Sequence, residues 1–283
     1  MYYRRLPKFE YLAPKSVEEV CSLLQERKGG ARVSAGGTIV VHRMKERVGV
    51  RKFLIGLKAV ADLDFIDFDP SSGLKIGTMA SLQSVADSPV VKKRFAILAR
   101  ACAELGTPQI RAMGTIGGNL CAKFPTAETV PVLIALGAKA RIWNAEGDRM
   151  VPIDALNKDL KQADLLTEIH VPTPDLQSGW GYEKYALRER LDYATVAAAV
   201  VMTSKGGVCA DVVIALGGVP SKRAAQAEKA VKGQKKTARV IEKAAQAASK
   251  NAKPISDIHC SAEYKKELLK VMVQRALEQA WGD

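Results

Sequence analysis

No stretch of this chain approaches the roughly 20 apolar residues that a helix needs to cross a bilayer, so no membrane span is expected. The first residues, Met1-Tyr2-Tyr3-Arg4-Arg5-Leu6-Pro7-Lys8, lack an apolar core, and no signal peptide is expected there. Cys-x-x-Cys is absent: the five cysteines, Cys21, Cys102, Cys121, Cys209 and Cys260, lie far apart. That spacing argues against a zinc site or an iron–sulfur cluster in this chain. It fits a reduced, cytoplasmic thiol inventory. The Gly-x-Gly-x-x-Gly fingerprint is missing too, so a Rossmann fold is not supported. The three histidines, His42, His170 and His259, are scattered, and none stands beside a nucleophile. No Ser-His or Cys-His pair can be read, and no catalytic residue is expected.

What is present is a globular composition. The chain has 283 residues, 47% hydrophobic and 26% charged, enough for two or three domains. Its formal charge is +13, and residues 221–283 hold 14 Lys/Arg against 7 Asp/Glu. Such a region suits nucleic acid, an acidic partner, an anionic ligand or simply a solvated helical face. Its lysines are not interleaved with aromatics, which argues against nucleic acid.

Ser16-Val17-Glu18-Glu19 is a capping box that opens a helix ending near Gly29-Gly30. Strands are expected at Arg32–Ala35 and Phe53–Leu57, and a hairpin at Phe65–Phe68 and Leu74–Gly77 around Asp69-Pro70-Ser71-Ser72-Gly73. Helices are expected from Ser81 to before Pro89, from Phe95 to Leu105, and from Val130 to Gly137, the last entered through Pro125-Thr126-Ala127-Glu128. Strands follow at Lys139–Trp143 and Leu165–Val171. Pro172-Thr173-Pro174 marks a boundary. Beyond it come strands at Trp180–Leu187, Thr195–Thr203 and Val208–Leu216, the last two joined through Gly206-Gly207. Helices at Arg223–Val231, Thr237–Ala248 and Ala262–Trp281 complete the chain, with no internal repeat.

Two Gly-Gly loops stand out. One is Gly114-Thr115-Ile116-Gly117-Gly118-Asn119, after Thr107-Pro108-Gln109-Ile110-Arg111-Ala112-Met113; the other is Ala35-Gly36-Gly37-Thr38, between a strand and a short helix at Ile39–Lys45. Without a Cβ, a glycine lets backbone N–H groups approach a bulky anion. Strand, glycine loop and helix together aim donors at a phosphate. Each loop is also readable as a tight turn, and as a pair they could hold one pyrophosphate from two sides. Thr38 and Thr115 suit phosphate oxygens or helix caps. Asn119 suits phosphate or its own turn. Glu128 has the position of an N-terminal helix charge, and Lys184 that of a surface lysine on a strand.

Taken in order, these residues resemble the medium, FAD-binding subunit of the xanthine dehydrogenase and carbon monoxide dehydrogenase family of molybdenum hydroxylases. The resemblance runs nearly the full length. It rests on Phe9-Glu10-Tyr11-Leu12-Ala13-Pro14-Lys15-Ser16 with Glu19, on Ala35-Gly36-Gly37-Thr38, and above all on the stretch from Gln109 to Leu120. Asp192-Tyr193-Ala194-Thr195-Val196, Pro254-Ile255-Ser256-Asp257 and Ser261-Ala262-Glu263-Tyr264-Lys265-Lys266 extend it.

The resemblance implies an α+β (mixed α/β) fold. An FAD-binding domain would span 1–172, with subdomains at about 1–57 and 58–172, and a smaller C-terminal domain with a three-stranded sheet and helices would span 175–283. It implies FAD held through its pyrophosphate, with the flavin between domains; since no His or Cys lies next to either glycine loop except Cys121, the FAD is expected to be non-covalent. Carried over by position, Ser34, Ala35, Gly36, Gly37, Thr38, Ile39 and Val40 form one contact loop, and Thr115, Gly117, Gly118 and Asn119 the other. Glu128 takes the place of a carboxylate reaching the ribityl or flavin region. Leu166 and Lys184 match positions near the isoalloxazine and adenine ends. Ile39 departs from the pattern, where many relatives have a polar residue. So do Ala122, Lys123 and Phe124, where His and then Asp are common, and Glu128, where Asp is commoner; all leave the polarity around the flavin open.

The implied function is electron transfer from an iron–sulfur small subunit through FAD to an external acceptor. A large subunit would carry molybdopterin, and the small one two [2Fe–2S] clusters. A stand-alone flavin or nucleotide binding module is the alternative.

Overall fold

Ser16 begins the first helix as expected: its Oγ accepts from Glu19 N at 3.2 Å, while the Glu19 carboxylate accepts from Lys15 N at 2.7 Å. The reciprocal bond of the capping box thus reaches one residue further back. The computed structural model describes residues 5–124, 126–175, 177–188, 191–220, 222–258 and 260–282. Pro125 and His259 lie outside the described residues.

In chain order the elements are β1 (Glu10–Leu12), α1 (Val17–Glu26), β2 (Ala31–Ser34), α2 (Val40–Lys45), β3 (Phe53–Gly56), β4 (Ile66–Asp69), β5 (Gly73–Gly77) and α3 (Leu82–Asp87). Then come α4 (Pro89–Arg94), α5 (Ala96–Ala103), α6 (Pro108–Met113), α7 (Ile116–Cys121), α8 (Thr129–Ala135), β6 (Lys139–Asn144), β7 (Gly147–Pro152), α9 (Leu156–Asp159) and β8 (Leu165–Val171). The rest are β9 (Ser178–Tyr185), β10 (Val196–Lys205), β11 (Val208–Gly217), α10 (Ala225–Val231), α11 (Ala238–Asn251) and α12 (Ala262–Trp281). The expected elements are present with ends shifted by a few residues. Strands β1 and β7 and helices α4, α6, α7 and α9 were not read from the sequence. Helix α7 is the instructive one, because it contains both glycines of the second loop; Thr115 caps it by accepting from Gly118 N at 3.0 Å, which offsets the poor helix propensity of glycine.

The chain forms two compact units, each drawn from three stretches. One comprises Met1–Val85, Thr107–Ala122 and Lys139–Val171; the other comprises Ala86–Gly106, Lys123–Ala138 and Pro172–Asp283. The first unit has a parallel sheet of order β1-β3-β2 and an antiparallel sheet of order β4-β5-β8-β6-β7. Helix α1 buries Val20, Cys21 and Leu24 with Ala31, Ile55, Leu57, Val60, Leu63 and Leu165. The second unit has the antiparallel sheet β11-β10-β9. Val196, Ala198, Val200 and Met202 alternate along β10 and pack with Ile241, Ala244, Leu269, Met272, Val273 and Leu277 of the helices. This is the period-two pattern meeting the helical one. In the same unit Gly179 and Gly181 let β9 lie against the backbone of α12; a Cβ at either would collide with the carbonyl of Ala280 or Ala276. Among the described residues, no helix is long and apolar enough to cross a membrane, and no group of three or more His, Cys, Asp or Glu side chains could hold a metal ion.

Candidate functional site

Both Gly-Gly loops belong to the first unit. Strand β2 runs in parallel register with β3, Ser34 opposite Gly56, and ends where the first loop begins. Gly36 lies flat against the second loop: a Cβ there would collide with the Met113 carbonyl oxygen and approach Gly114 Cα to 3.0 Å. Only glycine permits that closeness, so the two loops are brought together as a pair. Thr38 Oγ1 stands on the Gly114 side, 3.8 Å from where a Cβ would be. Gly37 has φ +77°, the left-handed region, and turns the chain into α2. Ser34 through Val40 are all half-buried, open enough to meet a ligand.

The hydrogen bonds of the first loop run one way. Gly37 O accepts from Val41 N at 3.1 Å and Ile39 O accepts from Arg43 N at 3.0 Å. Among the described residues, the N–H groups of Gly36, Gly37 and Thr38 have no acceptor. Three successive unengaged N–H groups, around a residue of positive φ and ahead of a helix, make a concave cluster of donors for an anion.

The second loop differs from expectation. Its donors are already engaged: Ile116 N to Ala80 O at 3.0 Å, Gly117 N to Thr78 O at 3.1 Å, Gly118 N to Thr115 Oγ1 at 3.0 Å, and Asn119 N to Thr115 O at 2.9 Å. Gly117 is buried, and a Cβ on it would collide with the Thr78 side chain. Its glycine is required by packing, and it presents no N–H to a ligand. Gly118 is half-buried and its N–H belongs to the cap, so it offers closeness of approach and no donor. Thr115 is the cap that one of its two readings described, 4% exposed. Its own N–H has no acceptor among the described residues. Asn119 is half-buried. Thr78 is the residue that sequence reasoning missed; nothing local to it signals a glycine 39 positions on.

Leu166 lies on β8 opposite Ile142, 3% exposed, as part of the first unit's core. Glu128 and Lys184 lie in the second unit and pair with each other, Lys184 Nζ donating to Glu128 Oε1 at 3.1 Å. The same ammonium donates to Glu104 O at 3.0 Å and to Asp192 O at 2.9 Å. An ammonium has three protons, and all three are engaged. The surface-lysine reading is therefore replaced by a clamp with 11% of the side chain exposed, facing a carboxylate with 2%. Burial pushes the Glu128 carboxyl above its usual range, against the pull of Lys184 and of a hydrogen bond from the Ala194 amide. Beside it Tyr182 is fully buried, and its phenol is pushed well above 10 by burial first and by the Glu128 charge second.

With this geometry in hand, the relatives become informative. The family described as "FAD binding domain in molybdopterin dehydrogenase" matches residues 7–174, and "CO dehydrogenase flavoprotein C-terminal domain" matches residues 182–280. The chain therefore belongs to the FAD-binding medium subunits of the carbon monoxide dehydrogenase type, within the xanthine dehydrogenase family of molybdenum hydroxylases. It is 33% identical to the carbon monoxide dehydrogenase medium chain of Hydrogenophaga pseudoflava over 98% of both chains. It is 30% identical to the nicotine 6-hydroxylase medium subunit of Paenarthrobacter nicotinovorans, again over 98% of both. Among solved structures, carbon monoxide dehydrogenase from Hydrogenophaga pseudoflava matches with a TM-score of 0.94 at 34% identity, covering 98% of each chain. Quinoline 2-oxidoreductase from Pseudomonas putida 86 matches with a TM-score of 0.91 at 30% identity, also covering 98% of each. The fold expectation, mixed α/β with an FAD-binding part followed by a three-stranded sheet and helices, agrees with these findings.

Proposed function

We propose that this chain is the electron-transfer subunit of a molybdenum hydroxylase complex, carrying electrons from an iron–sulfur small subunit through FAD to an external acceptor. The observation that carries the reading is the run of unengaged N–H groups at Gly36, Gly37 and Thr38, pressed against the second glycine loop. Such a cluster fits a pyrophosphate, the part of FAD that a backbone cradle can hold. FAD, when bound, supplies the capacity to accept and release electrons, so the chain itself needs no acid, base or metal for that task. Ser34 to Val40 would form the primary grip. Thr115 N, Asn119 and the bare face of Gly118 would complete it from the second loop, while Gly117 would hold that loop in shape from behind. Glu128 and Lys184 would act by holding the Glu104 and Asp192 segments of the second unit together, and Leu166 by filling the first unit's core.

Residues 1–172 would form the FAD-binding domain, with subdomains at about 1–57 and 58–172, and residues 175–283 the C-terminal domain. The family matches at 7–174 and 182–280 support that division. The relatives are named for carbon monoxide, nicotine and glyceraldehyde chemistry, so the likeness favours no one substrate. A large molybdopterin subunit would hold the substrate, and the basic helices after Pro220 would steer assembly in the cytoplasm.

The test is purification of the native complex by a tag on this chain at moderate salt, with the flavin released in acid. Co-purified iron–sulfur and molybdopterin proteins, one FAD per chain, and flavin bleaching when substrate is supplied are expected. Recovery of the chain alone with bound flavin would return weight to a stand-alone flavin module; flavin that runs as FMN, or that stays attached to denatured protein, would remove the pyrophosphate grip.

A further inference from the structure

A single exposed apolar side chain needs no explanation, but a cluster of them does. Among the described residues, the two most exposed large apolar side chains are Ile258 at 94% and Ile255 at 68%. They stand three positions apart in one loop, between α11 and α12. That loop is tied down. Lys265, in the first turn of α12, has a side chain only 5% exposed, and its ammonium donates to Ile255 O at 3.0 Å and to the Asp257 carboxylate. Asp257 Oδ1 accepts from Cys260 N at 3.0 Å, and Asp257 N donates to Cys260 O at 3.1 Å. Ser256 Oγ accepts from Ala262 N at 2.8 Å. The backbone around both isoleucines is thus fixed to the start of α12, while neither side chain joins the core of its unit.

The charges left open around the loop are positive. Lys250, Lys253 and Lys266 are exposed, and none of them is in an ion pair among the described residues. Ser249 Oγ donates to Lys266 O at 2.8 Å, which brings the end of α11 beside the start of α12. The carboxylates of the region are placed elsewhere. Asp257 is taken by Lys265. Glu263 and Glu267 lie two residues before and two after Lys265 on α12. A helix turns about 100° per residue, so both stand on the side of the helix away from the lysine that faces the loop. Glu263 feels the charge of Lys266 without an ion pair between them.

We propose that the loop from Ile255 to Ile258 is a docking knob for another subunit of the complex, one that offers an apolar pocket rimmed by carboxylates. This rests on the reading of the chain as one subunit of a larger assembly. Isoleucine is stiff at its first side-chain torsion and its loop is already ordered, so little freedom is lost when the pair is covered. An apolar centre inside a polar rim is the anatomy of a protein interface, and a rim of lysines selects carboxylates opposite it. A second copy of the same face would set lysines against lysines across a two-fold axis. A lipid surface is held by a longer amphipathic stretch than two side chains supply.

The experiment recovers the tagged chain from its native host at moderate salt and measures three things: partner subunits held per chain, flavin content and the urea midpoint. Ile255→Asp and Ile258→Asp should each keep at most about a tenth of the partner that the wild type holds. Flavin content and urea midpoint should not change, because both side chains lie outside the core. Lys250→Gln, Lys253→Gln and Lys266→Gln together should weaken retention and remove most of its salt dependence. Wild-type retention in both isoleucine variants overturns the knob. So does partner loss that comes with an equal fall in the urea midpoint, which would give the loop a folding role. Phosphatidylglycerol vesicles that pellet the wild type and not Ile258→Asp would assign the face to lipid, and a wild-type dimer lost in Ile258→Asp would assign it to a second copy; either overturns the proposal. A wild-type chain recovered alone fails the complex reading and this partner with it, whereas a complete complex formed by the isoleucine variants fails the knob alone.

Discussion

At Gly36-Gly37-Thr38, three successive N–H groups have no acceptor among the described residues, whereas at Ile116-Gly117-Gly118-Asn119 four successive N–H groups all have one. The two stretches look alike in sequence, with two adjacent glycines and a threonine close by. The difference comes from what each loop is packed upon. The first follows a strand whose ladder ends at Ser34 and precedes a helix whose first turn takes no N–H from the loop. The second lies across residues 78–82 and is itself the first turn of α7, so its donors are absorbed by Thr78, Ala80 and the Thr115 cap. Glycine lets the backbone close in both loops, Gly36 on Met113 and Gly117 on Thr78, and only in the first does it leave the neighbouring N–H groups without an acceptor among the described residues.

That contrast can be broken most sharply at Gly117. Gly117→Val places a branched side chain in the Thr78 contact and should cost more than about 3 kcal/mol of stability, the upper range of overpacking. Urea unfolding of the purified variant measures it; a wild-type midpoint would show that the loop is not closed on Thr78.

Next comes Lys184, whose donors are as fully engaged as those of the second loop. Lys184→Met leaves Glu128 buried and unpaired, and should cost about 3 kcal/mol near neutral pH. The double variant Lys184→Met with Glu128→Gln should recover part of that loss. The pH dependence follows from the raised Glu128 carboxyl. The folded state holds this proton more tightly than the unfolded one, so its stabilising contribution is present below about 4.5 and is lost as pH rises through the raised folded value. Removing Lys184 takes away the opposing charge and should carry the decline to higher pH. Urea midpoints from about pH 4.5 to 8 follow it; equal slopes in the wild type and in Lys184→Met would contradict the clamp.

Two smaller changes compare the loops directly. Thr115→Val removes a helix cap and should cost about 1 kcal/mol, with FAD affinity following stability. Gly37→Ala forces a Cβ into φ +77° in otherwise open space, 3.6 Å from Val41, at a similar cost of about 1 kcal/mol. It should weaken FAD about tenfold, because it tilts the unengaged donors. FAD dissociation measured by flavin fluorescence distinguishes the two, and equal affinities would make the loops equivalent after all. The smallest stability effect belongs to Thr38→Val, within about 0.5 kcal/mol, read against its FAD affinity in the same assay. A fall in affinity confirms a ligand hydroxyl, and no change leaves Thr38 as a spacer beside Gly114.

The glycine pairs, the capping box at Ser16 and the period-two run of β10 are local facts, and local physics is enough to read them. An N-cap needs only the next three residues, and a half-buried strand needs only its alternation. The two-domain family pattern was legible for the same reason, since its motifs are short and ordered along the chain. The engagement of Gly117 by Thr78, the placement of Gly36 against Met113, and the bonds from Lys184 to Glu104 and Glu128 all join residues 39 to 80 positions apart. A hydrogen-bond donor is the same N–H in any sequence. Whether it stays open for a ligand depends on which distant carbonyl the fold brings to it, and that choice is made only when the sheets and helices pack.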